Sequence, residues 1–416
     1  MRIQIITSDQ RKLMNEKTVA TGFTTSNWMT PLFDGPSVSN SDDQSAPKNE
    51  PREMTTEYKF QGWMGLDKDS HKGNLVFQEF EPKRFEDGDV DIKITHCGVC
   101  ASDVHTLSSG WHENVEYPIC VGHEIVGTIV RVGPKVEGGL KVGDRVGVGA
   151  QSGSCLQCKN CGDHKEPYCT GKCGFIGTYD ARHVCGDRSQ GGYGDYARVP
   201  SRFVVPVPEG LPSDIAAPMM CGGVTVYSPL KKYGAGTTAK KVGVIGIGGL
   251  GHFALLFAKA LGAEVTAISH SDHKREDAKK LGASHFIITG QEGWDKDNKE
   301  SLDLVICTTN DAKMPLESFL SLLTPGGVFV LVGIPEEPLP QIKPFSLIQR
   351  NVHLCGSLVG SPAEMKEMLE LAATQNIKTW IEPYPMDKVN DALHKFHEKG
   401  MRYRAVLYNQ KHIDNQ

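Results

Sequence analysis

The chain has no surplus of positive charge: Lys and Arg number 45 against 50 Asp and Glu among 416 residues, a formal charge of −5. The basic footprint of a nucleic-acid binder is therefore missing. No membrane-length apolar run is present either. The longest charge-free apolar stretch, 242–258, carries five glycines and His252, where a spanning helix needs about 20 predominantly apolar residues. A secretory signal is not expected, because the run from Ile3 to Ile6 is followed by Asp9, Arg11 and Lys12 and is too short for an h-region. Cysteine is too sparse for a disulfide scaffold, 12 of 416 residues against ~8–10%. There is no internal repeat and no heptad run. What remains is a globular chain of two or three domains, at ~100–200 residues each. Seven of the twelve cysteines crowd between Cys155 and Cys221, a clustering that points to metal ligation in a reducing, cytoplasmic setting.

From Thr18 to about Glu57 the chain is rich in Thr, Ser, Asn, Pro and Asp without apolar periodicity, so it cannot offset the entropy of ordering. Residues 1–56 are read as a disordered tail, and Met54 as a candidate translation start. An organelle presequence is a weaker reading, since Asp9 and Glu16 interrupt its basic face. Short β-like runs at 90–95, 124–132, 145–148 and 197–205, separated by Gly, Pro and Asp turn signals, make 57–212 a mostly β domain. Beyond it, strand-like 241–247, helix-like 250–261, strand-like 264–269, helix-like 274–281 and β runs at 302–307 and 328–332 alternate. That rhythm predicts a doubly wound parallel sheet over 213–350. It is expected to stop near Asn351, leaving a helix over 362–374 and a last strand over 403–407 in a closing segment, 351–416.

Gly246-Ile247-Gly248-Gly249-Leu250-Gly251 fits G-x-G-x-x-G. Alone the pattern is weak and can be a packing turn, but it follows a strand and opens a helix, the setting of a dinucleotide site. The first glycine permits the tight turn, the second lets backbone approach a pyrophosphate, and the third lets helix and strand pack closely. The helix N-terminus offers free N–H groups to phosphate, and Leu250, Ala254, Phe257, Ala258 and Leu261 form the apolar face expected against the sheet. An NAD site places an acidic residue about 20 positions on, at the adenosine ribose. Ser269 stands there, followed by His270, Ser271, Asp272, His273, Lys274 and Arg275. Hydroxyl and cationic donors suit a 2′-phosphate, so NADP(H) is the expected cofactor, with Ser269, His270 and Lys274 beside it. The competing readings are solvent-facing Lys274 and Arg275, and Asp272 on a ribose.

Cys155, Cys158, Cys161 and Cys169 fall within one loop. Four thiolates can close a tetrahedron around Zn²⁺ and leave no open position, which makes the site structural; an iron–sulfur cluster also fits the thiolate count. Cys173 and Cys185 lie outside the spacing and read as free thiols. A second set is dispersed: Cys100, His123 with Glu124 beside it, and Cys221. Two thiolates and an imidazole are the ligand set of a catalytic zinc that keeps a position open. Each of them alone reads equally as an inert core cysteine or a surface histidine.

Together with the glycine turn, Cys-Gly-Val-Cys-x-Ser-Asp-x-His (97–105), Gly-His-Glu (122–124), Arg-Val-Gly-Val-Gly-Ala-Gln (145–151), Gly-Gly-Tyr (191–193) and Tyr-Arg-x-x-Leu (403–407) carry a resemblance. From about Tyr58 to Leu407 the chain resembles the zinc-dependent medium-chain alcohol dehydrogenases, in particular the cinnamyl-alcohol-dehydrogenase branch and its NADP-dependent fungal members. The resemblance implies an α/β fold: a GroES-like catalytic domain, a Rossmann NADP-binding domain, and a closing segment that returns to the catalytic domain. It implies two zinc ions per chain. Cys100, His123 and Cys221 would hold the catalytic zinc, Glu124 would enter coordination when the fourth position is vacant, and Asp103 would orient His123 from behind. Ser102 and His105 would relay a proton, although Ser102 also reads as a helix cap, as does Asp103. Thr225 and Arg404 would contact cofactor, with Arg402 near enough to compete for the arginine role. Primary alcohols and aldehydes, aromatic and medium aliphatic, are the implied substrates. Trp111 is a candidate for their pocket, though a tryptophan here also reads as core. A homodimer through edge strands of the nucleotide domain, with 326–333 as the candidate region, is implied by analogy.

A polyol dehydrogenase on the same scaffold is the nearest rival, and Cys221 in place of a carboxylate third ligand argues against it. A zinc-binding interaction module is opposed by the single cysteine loop and the acidic charge. An inactive relative would need a blocked pocket behind an intact ligand set.

Overall fold

The computed structural model describes residues 57–398 and 401–413; the expected tail, Met54 included, lies outside them. Among the described residues no helix is long and apolar enough to cross a membrane.

The mostly β lobe is organised by one strand, Asp89–Gly98. Val90, Ile92 and Ile94 alternate into the core with no exposure, the period of two that a strand dictates. Buried Asp91 accepts two hydrogen bonds from Arg198, at 2.7 and 3.0 Å. Ile125–Val132, Tyr196–Pro200 and Arg404–Tyr408 all run antiparallel to this strand, the last beside its final residues. The registers pair Cys97 with both Ile125 and Leu407. Antiparallel order then carries Glu124 on one side and Arg404 on the other to the end of the sheet where Cys100 stands. Residues 280 positions apart meet there because the hydrogen-bond register leaves them nowhere else. The expected run 197–205 is broken by a 3-10 turn, Ser201–Phe203, because the chain changes neighbours. Residues before the turn pair with 89–98, and Val204–Pro206 pairs with Arg145–Val148.

The second lobe is a six-stranded parallel sheet in the order His285–Ile288, Glu264–Ser269, Lys241–Ile245, Leu302–Cys307, Leu323–Leu331, His353–Gly356. Along the chain this is order 3-2-1-4-5-6, the doubly wound Rossmann arrangement, whose ligand crevice opens where the order reverses. That point lies between Lys241–Ile245 and Leu302–Cys307, with Gly246 and Thr308 at its lips.

Three expectations need correction. The strand His353–Gly356 belongs to the nucleotide sheet, so that lobe runs past residue 350; four residues containing His, Cys and Gly gave no apolar run to read. At the other boundary Ser213–Ala216 still packs on the catalytic sheet, which moves the crossover from 212 to about Cys221. Leu323–Leu331 is flanked by strands on both sides, so 326–333 is not an edge. On that side of the sheet the outermost strand is His353–Gly356.

The helix Gly251–Ala260 buries more than the expected stripe. Ala254, Phe257 and Ala258 are buried, but so are His252, Phe253 and Leu255, because a second face packs on the helix Gly222–Lys232. Leu250 and Leu261 are only partly covered. Burial pushes His252 down to about 3, and its Nε2 lies 2.5 Å from Thr379 Oγ1, so it is a neutral core group. A Cβ at Gly251 would collide with the Gly246 carbonyl, whereas one at Gly248 would meet nothing within 4 Å. Gly251→Ala is therefore expected to cost about 1–3 kcal/mol through overpacking, and Gly248→Ala less than about 0.5 kcal/mol, as read from chemical-denaturation midpoints.

Candidate active site and metal centres

Cys100 precedes the helix Ala101–Leu107, His123 and Glu124 precede the strand Ile125–Val132, and Cys221 precedes the helix Gly222–Lys232. All four are buried, and one ligand atom from each lies within 4.8 Å of the others. The two sulfurs are 4.0 Å apart. His123 Nε2 and Glu124 Oε2 are buried without a hydrogen-bond partner, while the other oxygen of Glu124 accepts from Arg404 Nη2. Glu124 needs Gly98 beside it, since a Cβ there would occupy its carboxylate.

Asp103 reaches this cluster differently from the expectation. Its Oδ1 is 3.8 Å from His123 Nδ1, beyond hydrogen-bonding distance. The carboxylate instead accepts from the Cys100 amide at 2.8 Å, the Gly122 amide at 3.1 Å and the Tyr193 hydroxyl at 2.7 Å. It pins the two backbone segments that carry Cys100 and His123, and it, not Ser102, closes the helix N-terminus. Tyr179 stacks on the His123 ring, centroids 5.3 Å apart.

Burial lifts the Glu124 carboxyl to about 8 against the pull of Arg404. Burial alone would lower His123, but Asp103 and Cys100 outweigh it and raise the imidazole to about 9. The hydrogen bond between the two thiols draws Cys100 well below its usual range and pushes Cys221 up.

Cys100 and Cys221 open onto a cleft of about 570 Å³ between the lobes, also lined by Ser102, His105, Trp111, Thr225, Gly249, Leu250, Lys274 and Arg404. Ser102 Oγ is 3.6 Å from Cys100 Sγ, and Trp111 stacks on His105 with centroids 4.9 Å apart. Lys274 turns back over the glycine turn, donating to Ile247 O at 2.5 Å; burial, then Arg402, lowers its pKa. Gly246, Gly248 and Gly251 build the turn without lining the cleft. Ser269 and His270 do not line it either, and His270 is exposed. Arg275 lies over Phe286. Arg402 pairs with Asp277 at 2.9 Å, and Arg404 lies against Gly249, so of the two arginines it is the buried one at the turn.

The four loop cysteines form the second cluster, again within 4.8 Å, with sulfur separations of 3.5, 3.9 and 4.0 Å among the hydrogen-bonded pairs. A thiolate tetrahedron with Zn–S of about 2.3 Å has edges of roughly 3.8 Å. Amides of Gln157 and Cys158 point at Cys155 Sγ, at 3.4 and 3.2 Å. Backbone N–H groups of Cys161 and Thr170 bring Cys158 down to about 5.

Residues 86–209 match the alcohol dehydrogenase GroES-like domain and residues 249–374 the zinc-binding dehydrogenase family. The NADP-dependent alcohol dehydrogenase 6 of Saccharomyces cerevisiae is 44% identical over 334 residues, 79% of this chain and 91% of that protein. The cinnamyl alcohol dehydrogenase of Sorghum bicolor superposes with a TM-score of 0.78 at 38% identity, covering 84% of this chain and 98% of that one. The Helicobacter pylori enzyme solved with NADP(H) gives 0.76 at 34%, covering 85% and 99%. This chain belongs to the zinc-binding alcohol dehydrogenases. It is an oxidoreductase of the cinnamyl-alcohol-dehydrogenase-like branch, and both donor sets, the one buried and the other partly exposed, fit zinc. One joins two sulfurs to an orphaned imidazole nitrogen beside a cleft; the other encloses four sulfurs in tetrahedral spacing.

Several cleft residues carried no signal in the sequence. Thr308 and Asn310 were reachable in principle, since the strand Leu302–Cys307 ends at the point of order reversal. Val332, Gly333 and Ile334 follow the next strand, and Leu358, Phe396 and Met401 come from the closing segment. For the dehydrogenase's two centres, elemental analysis is expected to find two zinc ions per chain. Cys158→Ser should lose one together with thermal stability, and Cys100→Ser should lose the other with the fold intact.

Proposed function

We propose that the chain is an NADP(H)-dependent alcohol dehydrogenase that works in the cytoplasm as a homodimer, reducing primary aromatic and medium aliphatic aldehydes. In this reading Cys100, His123 and Cys221 hold the catalytic zinc, Glu124 is its exchangeable carboxylate, and Cys155, Cys158, Cys161 and Cys169 hold the structural zinc. The observation that carries it is the buried Cys₂His set, with His123 Nε2 unsatisfied, on the same cleft as the glycine turn. When bound, zinc supplies Lewis acidity toward the substrate oxygen and the nicotinamide supplies the hydride.

The protein's part is positioning and proton transfer. Ser102 Oγ, beside Cys100, exchanges the proton of the substrate hydroxyl, and His105 carries it toward solvent. Thr225, Leu250 and the turn Gly246–Gly251 orient the dinucleotide, with Arg404 facing its phosphates. Lys274 Nζ, now on a carbonyl, is the donor for a 2′-phosphate. Ser269 and His270 stand further out at that site, where the missing acidic residue removes the repulsion a phosphate would meet.

Trp111, Val332, Ile334, Leu358, Val359 and Met401 give the cleft an apolar lining. Such a surface suits an aryl or alkyl group and leaves polyol hydroxyls without partners. Mannitol dehydrogenases are also relatives, that of Apium graveolens at 41% identity over 83% of this chain, so mannitol is the informative competitor. Dimerisation is supported by the outermost strand His353–Gly356 and the adjoining Phe345 and Ile348, 72% and 71% exposed.

NADPH is expected to exceed NADH in kcat/KM with cinnamaldehyde, and cinnamyl alcohol to exceed mannitol with NADP⁺. Lys274→Ala should lower the NADPH value about 10–100-fold, as loss of a charge-assisted hydrogen bond of ~1.5–3 kcal/mol implies, and leave NADH nearly unchanged. A wild-type preference for NADH or mannitol refutes the corresponding part. Sedimentation should give a dimer that Phe345→Glu with Ile348→Glu converts to monomer.

A further inference from the structure

His105 sits on the helix Ala101–Leu107 of the catalytic lobe, yet its closest polar partner comes from the other lobe. Its Nδ1 lies 2.8 Å from Glu336 Oε1, 231 residues away in sequence. Glu336 follows the strand Leu323–Leu331, in a segment tied down at the floor of the cleft. Val332 and Gly333 donate to the Cys307 carbonyl at 3.0 and 3.2 Å, and the Ile334 amide donates to Asn310 Oδ1 at 2.9 Å. The contact thus bridges the two walls of the cofactor cleft. Gly110 makes room for it: a Cβ at that position would lie 2.7 Å from Glu336 Oε1 and 3.4 Å from His105 Nδ1.

We propose that Glu336 is the positioning residue of His105, fixing the ring from across the cleft so that Nδ1 bears hydrogen and Nε2 is the proton-accepting nitrogen. This rests on the reading of His105 as the proton carrier. An ionised carboxylate only accepts hydrogen bonds, so a ring nitrogen 2.8 Å from it must be the donor; in a neutral imidazole the other nitrogen then holds the lone pair. Trp111 restrains the tilt of the ring by stacking at 15°, and Glu336 restrains its rotation. Because carboxylate and imidazole belong to different lobes, the relay is assembled only when the walls stand as they do here.

The holoenzyme tests this with cinnamyl alcohol and NADP⁺. Glu336→Ala is expected to lower kcat about 10-fold, part of the ~10²–10⁴ that a positioned proton carrier contributes, with KM for NADP⁺ within twofold. Glu336 is about half exposed, so the Tm should hold. In a His105→Ala background, Glu336→Ala should cost nothing further, and Gly110→Ala, which crowds the carboxylate off the ring, should behave like Glu336→Ala. An equal loss from Glu336→Ala in both backgrounds overturns the proposal, and so does no loss from Glu336→Ala where His105→Ala itself lowers kcat. Side-chain ¹⁵N shifts of His105 separate it from the reading beneath it. A wild-type ring protonated on Nδ1 that becomes a tautomer mixture in Glu336→Ala supports the positioning role even if His105→Ala proves silent in turnover. A wild-type ring protonated on Nε2 overturns it whatever the activity.

Discussion

A guanidinium and a carboxylate buried side by side govern the chemistry of the cleft. Arg404 is 5% exposed at its side chain and Glu124 not at all, and removing one member of such a pair costs about 3–5 kcal/mol because the other charge is left alone. When ionised, Cys100, Cys221, Glu124 and Asp103 set four negative charges against this guanidinium and the His123 imidazolium. Burial resists that imbalance, which is why Glu124 is lifted to about 8 even with Arg404 on one oxygen. A divalent cation among the sulfurs relieves the imbalance, so the same desolvation that raises these groups creates the demand for metal. Arg404 lies against Gly249 as well, so one side chain touches both the Cys100–His123–Glu124–Cys221 cluster and the glycine turn.

The two candidate metal centres are built by opposite means. In the four-cysteine loop the ligands are close in sequence, and the backbone amides that turn the chain also point at sulfur, so local geometry makes the site. The dispersed set has no local geometry. It exists because Cys97 is in register with Ile125 and with Leu407, and because the lobe crossover comes at Cys221. A slip of one residue would move Glu124 to the opposite face.

That difference sets how much was readable beforehand. The glycine turn and the cysteine loop announce themselves by spacing, and the alternation of apolar runs gave the parallel sheet. The dispersed ligand set needed the family resemblance, since nothing in Cys100 or Cys221 alone distinguishes ligand from core. His353–Gly356 was missed because its short run lacks an apolar core of its own. Lys274, read as a phosphate donor, curls onto Ile247 O while His270 stays in solvent, a matter of side-chain direction that a strand end does not encode. Glu336 had no signal at all: a half-exposed glutamate gains meaning only from a histidine brought opposite by the fold.

The lobes that make the cleft are not loosely hinged. Val126 and Val406 of the catalytic sheet and Met219 and Met220 of the crossover share one buried apolar cluster with Phe253, Phe257 and Met365 of the nucleotide lobe. Opening that surface would expose core. Two segments that line the cleft are 332–334 and 357–359. The second of these is itself held from outside. The Leu358 amide donates to the Tyr168 hydroxyl at 3.1 Å, and Tyr168 immediately precedes Cys169 of the four-cysteine loop. The four-cysteine loop is therefore mechanically connected to the cleft: whatever loosens the loop also frees the backbone at Leu358, one of the residues that line it.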